Sequence, residues 1–164
     1  MKAYSIVGEN RVEATPVQGI LPIESQDEGD YRMYRITLPF LPPSKNVYDG
    51  WDKLWKSSAK NKWKRHIDKH VKALGIPKAD RIGLAAILVF PTNARRDWQN
   101  YSQCLWNWVP DALQESGVID GDHAGKIDFP PNLGVKFAVD KRAAPKEKRQ
   151  RTIIVITMKV AKGA

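Results

Sequence analysis

Nine consecutive residues near the middle of the chain, Ile82 to Phe90 (IGLAAILVF), carry no charged or hydrogen-bonding side chain and stop at Pro91. A short, unbroken apolar run bounded by a breaker predicts a central strand covered on both faces, and that strand constrains everything around it. Upstream, Tyr31 to Leu38 is rich in strand formers and ends at Pro39, which predicts a second strand. The string LPPSKNVY, Leu41 to Tyr48, follows as a loop, because two prolines fix extended backbone and Ser44 and Asn46 bond locally. From Trp51 to Leu74, apolar side chains recur at Trp51, Leu54, Trp55, Ala59, Trp63, Ile67, Val71 and Leu74, the spacing of one helical face, and Gly75 and Pro77 end it.

Beyond the central strand, Trp98 to Glu115 repeats the helical spacing through Trp98, Tyr101, Leu105, Trp108, Ala112 and Leu113. A kink is expected at Pro110 and an end at Gly117. Leu133 to Val139 and Thr152 to Val160 alternate as two last strands, joined by the basic loop Arg142 to Arg151. The order predicts α/β (α+β) architecture: a single domain with a mixed β-sheet packed with two main helices. Residues 1–30 are acidic and interrupted by turn formers, and form an N-terminal extension to a domain spanning 31–164.

No stretch is long and apolar enough to span a bilayer, and the N-terminus lacks the layout of a signal peptide, so a soluble, cytoplasmic protein is expected. Cys104 is the sole cysteine, which excludes an intrachain disulfide and a cysteine-built zinc site. There is no glycine-rich phosphate loop and no HExxH. The net charge of +9 is unevenly spread. Lys45 to Lys72 holds nine basic residues against three acids, and Lys141 to Arg151 six against one, whereas the first thirty residues hold six acids against two bases. Concentrated Lys and Arg gain affinity for polyphosphate by releasing counterions, which makes nucleic acid the leading partner. The expected DNA surface is the Trp51 to Leu74 helix, with Lys60 and Lys64 on its polar face, together with the basic loop bearing Arg149 and Arg151.

Chemistry could reside between Arg95 and Phe129. Asp97 stands at a helix start, and Asp120 and Asp122 follow that helix, so these carboxylates can hold a divalent cation only if the chain folds back after Gly117. The alternative is structural: Asp97 as an N-cap and Asp120 to Asp122 as a surface turn. His123 could serve as ligand or base, whereas His66 and His70 lie among lysines that repel a cation. The six tryptophans follow the apolar faces and are assigned to the core or a dimer interface rather than to base stacking.

Several ordered motifs resemble those of the RusA-type Holliday-junction resolvases. The chain shows Pro42, Pro43, Ser44, Asn46 and Tyr48 after the first strand, Arg95, Arg96, Asp97 and Asn100 at a helix start, then Asp111, Ala112, Leu113, Gly117 and Asp122. The likeness covers about residues 31–160. It implies a homodimeric endodeoxyribonuclease that cuts branched DNA with Mg2+, or Mn2+, and acts in recombination and repair. By this resemblance the catalytic residues are Asp97, Gln99 and Asp122, the metal ligands Asp97, Asp122 and Asp120, and the DNA contacts include Lys45, Asn46, Arg95 and Arg96. The chain departs from the family where Gln99 replaces a second carboxylate, where Gln103, or Trp106 or Asn107 if the helix carries an insertion, replaces a lysine, and where Gly121 replaces one aspartate of a pair. Asp120 or Asp111 could compensate for the lost carboxylate and Lys126 for the lost lysine. The same departures open an alternative, a module that binds junctions or a partner without cutting.

Overall fold

The computed structural model describes residues 5–7, 30–92, 94–121, 125–130, 132–140 and 150–160. In chain order the elements are β1 (Ser5–Val7), β2 (Asp30–Leu38), α1 (Lys45–Asp49), α2 (Lys53–Leu74), β3 (Ile82–Phe90), α3 (Trp98–Glu115), β4 (Ile127–Asp128), a 3-10 turn (Asn132–Gly134), β5 (Val135–Val139) and β6 (Arg151–Val160). The architecture is mixed α+β around one sheet, with two long helices, as the order of patterns predicts.

The apolar run is the centre of that sheet. β3 pairs antiparallel with β6 on one side; on the other it pairs parallel with β4 at its start and β5 at its end. β6 pairs antiparallel with β2, with Leu38 opposite Thr152, and β1 runs parallel to β2. β2, β3 and β5 therefore point the same way. Their C-terminal ends and the start of β6 meet along one rim of the sheet, called here the carboxyl rim. The start of β3, with β4 beside it, forms the opposite, amino rim.

Two crossovers, β2 to β3 through α2 and β3 to β5 through α3, join parallel strands in the same direction across the sheet. Right-handed connections then put both helices on one face. Tyr34, Ile36 and Leu38 of β2, Leu84, Ala86 and Leu88 of β3, and Ile154 and Ile156 of β6 meet Trp63, Ile67 and Val71 of α2 and Leu105, Trp108 and Leu113 of α3 in one buried core. The alternate side chains Met33, Ala85, Val89, Ile153 and Val155 form a second buried cluster on the other face. Burial on both faces is why β3 shows no alternation.

α2 starts at Lys53, two residues later than the Trp51 that the periodicity predicts, because the Asp52 carboxylate accepts the Trp55 N–H at 2.9 Å and caps the helix. It ends at Gly75, whose φ of 61° is left-handed and whose neighbour Ile76 donates back to the Val71 carbonyl. The expected loop from Leu41 to Tyr48 also needs correction, since its last residues begin the short helix α1 behind the N-cap Ser44. α3 runs through Pro110 to Glu115 without interruption. Gly134 belongs to a turn before β5: its φ is 69°, and a Cβ there would lie 2.8 Å from the Leu84 carbonyl oxygen. Only glycine lets the chain approach β3 so closely.

α2 and α3 both run away from the carboxyl rim and are joined at matching heights. Lys60 pairs with Asp111 at 2.7 Å, Lys64 with Glu115 at 2.5 Å, and the Ser116 hydroxyl donates to Asp68 at 3.0 Å. The i, i+4 spacing on each helix makes these pairs coincide.

Candidate functional site at the carboxyl rim

Three stretches that the sequence singled out leave the sheet from one rim. β2 delivers Pro42, Pro43, Lys45 and Asn46; β3 delivers Arg95, Arg96 and Asp97; and β6 starts at Arg151. The first is fastened where the Thr152 hydroxyl donates to the Phe40 carbonyl at 2.7 Å. Lys45 and Asn46 are exposed on α1.

The turn after β3 is held by Arg96. Its guanidinium lies 3.7 Å from the centre of the Phe90 ring and donates to the carbonyls of Thr92 and Ala94 at 3.0 and 2.8 Å and to the Thr92 hydroxyl at 3.1 Å. Beneath it, Phe90, Tyr101 and Phe137 meet edge to face with centroids 5.5 to 5.7 Å apart. Arg96 is therefore a brace, and Arg95, which is exposed, is the arginine facing solvent.

Asp97 is the N-cap of α3: one carboxylate oxygen accepts the Gln99 N–H at 3.0 Å. The structural role foreseen for it is thus realised, yet Asp97 and Gln99 both remain exposed. Among the described residues Asp97 enters no ion pair. The positive end of the α3 dipole and exposed Arg95 favour an oxyanion brought to this end of the helix.

Asp140 was missed by sequence reasoning. Its N–H donates to the Phe90 carbonyl at 2.8 Å, and its buried carboxylate accepts from Arg151 at 3.1 Å. Arg151, expected as a DNA contact, is therefore also the counter-ion of Asp140. An aspartate that follows an alternating strand carries no sequence signal of such a role.

The other candidate carboxylate lies at the far end. α3 has 18 residues, so its ends stand about 27 Å apart. After Gly117 the chain does not turn back toward Asp97: the Val118 carbonyl accepts the Ala79 N–H at 2.8 Å, and the Asp120 carbonyl accepts from the Gln114 side chain at 3.3 Å. Asp120 pairs with Lys78 and Lys126 with Asp80, each at 2.8 Å, and Arg81 clasps Asp128. The lysine partners hold the Asp80 and Asp120 carboxyls below the ordinary 3.8, first through their hydrogen bonds. One chain does not bring Asp97 and Asp120 together. Asp122, His123 and Arg149 lie outside the described residues.

Lys60 and Lys64, expected on a free polar face, instead stand at the seam with α3, and Asp111 is the partner of Lys60. Partial burial and the surrounding Lys62, His70, Lys69 and Arg65 lower the His66 pKa from 6.5, so its ring is uncharged at neutral pH. The Cys104 thiol, pushed up to about 11 by burial, is inert packing.

As a magnesium site the carboxyl rim offers the outer Asp97 oxygen and the Gln99 amide carbonyl. Magnesium accepts as few as one carboxylate when water and substrate phosphate complete its shell, so these donors fit a sparse site. Among the described residues no cluster of three or more His, Cys, Asp or Glu could hold a metal, and no helix is long and apolar enough to cross a membrane. No family model matches the chain, and no curated protein matches it.

Proposed function

We propose that this protein is a magnesium-dependent endodeoxyribonuclease of the RusA type that binds and cuts branched DNA as a homodimer, with its working residues at the carboxyl rim. The observation that carries the reading is the convergence there of Lys45 and Asn46, Arg95 to Gln99, and Arg151, which are distant in sequence and adjoin through the pairing of β2, β6 and β3. Ends of parallel strands are where α/β sheets commonly hold ligands.

In this reading Arg95, Lys45 and the α3 N-terminus hold the DNA phosphates. Arg96 fixes the turn so that Asp97 stays at the helix start. Asp97 and Gln99 would hold magnesium, which when bound would activate water and neutralise charge on the phosphate. Two equivalent sites in a two-fold dimer suit the two equivalent strands of a four-way junction.

A second reading, binding without cleavage, is favoured by one observation. Asp120, Asp111 and Lys126, the residues able to compensate for Gln99 and the missing lysine, are all engaged in ion pairs away from Asp97. A gel-shift and a cleavage assay on a synthetic four-way junction, with magnesium and with manganese, separate the two. The nuclease reading expects paired nicks and an affinity that falls steeply with salt as phosphate contacts release counterions. Tight, salt-dependent binding with intact strands in both metals would establish the second reading. Affinity independent of salt would count against both.

A further inference from the structure

Away from Asp97, between α1 and α2, lies an open pocket of about 260 Å³. Buried Trp63 and Trp108 line it together with Phe40, half-buried Trp51, and exposed Val47 and Lys62. Trp55, Ala59, Lys62 and His66 follow one another at three- and four-residue steps along α2, which aims a single ridge at this corner. Ring contacts run from the core to the surface without a gap: Trp63 to Trp108 at 5.7 Å, Trp108 to Tyr48 at 5.9 Å, Tyr48 to Trp51 and Trp51 to Trp55 each at 6.2 Å.

Five large apolar side chains are exposed among the described residues, and two of them stand here: Val47 lines the pocket and Trp55 meets Trp51. Trp55 is 65% exposed, so of the two roles expected for the tryptophans, core and dimer interface, it does not fill the first. Lys62 stands 4.4 Å over the Phe40 ring and Lys56 4.7 Å over Tyr48, with Lys45 and Lys53 close by in sequence. None of these four lysines joins an ion pair with a described residue, and they outnumber the nearby Asp49 and Asp52, the latter occupied as the α2 cap.

We propose that this pocket receives one unstacked base of a DNA strand whose flanking phosphates lie on Lys56 and Lys62. The proposal rests on the nucleic-acid reading above and adds a site to it. The volume lies below the roughly 300 to 1,000 Å³ of pockets for larger ligands, which suits a single ring system. Aromatic walls bind any base face, and a lysine rim supplies the attraction for its backbone. Protein interfaces are depleted in lysine, so the same rim argues against a protein as occupant.

The test is fluorescence anisotropy with a short oligothymidylate, its abasic counterpart and a duplex of equal length, using wild type, Trp51→Ala and Lys62→Gln. Trp51→Ala should weaken oligothymidylate binding roughly 5- to 150-fold, the range for one lost stack. It should leave the abasic strand and the duplex unchanged, while Lys62→Gln weakens both single strands. Circular dichroism confirms that each variant is folded. Equal binding of oligothymidylate by wild type and Trp51→Ala overturns the base pocket even where duplex binding persists; failure to bind any DNA overturns the nucleic-acid reading as well. A Trp51→Ala variant that changes sedimentation while binding DNA normally would assign the corner to contact between copies of the chain, against the proposal.

Discussion

The two ends of α3 carry similar residues and do different work. At its end, Asp80, Asp120 and Asp128 each have a cationic partner in Lys126, Lys78 and Arg81, and these clips fasten the chain after α3 to the start of β3. At its start, Arg96 spends its donors on backbone carbonyls and Asp97 caps the helix, so that a carboxylate and Arg95 are left at the surface on a braced turn. An acidic residue in a clip has its counter-charge within the fold, whereas Asp97, held by backbone alone, has no cationic partner among the described residues. This difference is what places the proposed chemistry at the carboxyl rim and leaves the amino rim to the framework.

The comparison breaks most completely if α3 loses its anchor. Trp108 is fully buried and touches Tyr48 and Trp63, so Trp108→Ala should reduce unfolding free energy by about 3–5 kcal/mol, measured by urea denaturation. Both rims should then fail in one transition; two separate transitions would show that α3 does not couple them.

Gln99→Asp sharpens the contrast from the other side. A second carboxylate two residues from Asp97 should tighten magnesium binding about tenfold, or ~1.4 kcal/mol, read by calorimetric titration. Unchanged affinity would mean that the two side chains do not face a common ion.

Acid should erase the amino-rim clips with a small effect. Asp80 and Asp120 have pKa values in the folded protein below the ordinary 3.8, so the unfolded chain binds protons first as pH falls. Their stabilisation is complete above that value and disappears as pH drops through the lowered folded ones. The double variant Asp80→Asn, Asp120→Asn should therefore melt slightly below wild type at pH 7, with the gap narrowing as the pH falls below 3.8. A difference that persists unchanged in acid would assign it to packing.

Much of this architecture was legible in the sequence, and what was not has physical causes. β3 and α3 occupy the residues that their apolar patterns mark, because burial on two faces and on one stripe each leaves a distinct period. α1 was hidden by the prolines before it, and the two-residue β4 is too short to carry a period. Lys60 and Lys64 looked like solvent-facing cations, since periodicity tells which residues avoid the core but not which meet a carboxylate on a neighbouring helix. For the site, Arg95 to Asp97 stand together at the start of α3 because they are consecutive in the chain. Their distance from Asp120 depends on the direction of the chain after Gly117, which a glycine leaves open.

The central claim, that the start of α3 is the working end, is tested most directly by junction cleavage with Asp97→Asn and Asp120→Asn assayed beside wild type in magnesium. Asparagine caps helices about as well as aspartate, so both variants should stay folded. The account predicts that Asp97→Asn loses at least about a hundredfold in cleavage rate, an effect of ~2.7 kcal/mol on the barrier, while Asp120→Asn stays within a few-fold of wild type. Equal cleavage by Asp97→Asn and wild type, or an equal loss in Asp120→Asn, would contradict it.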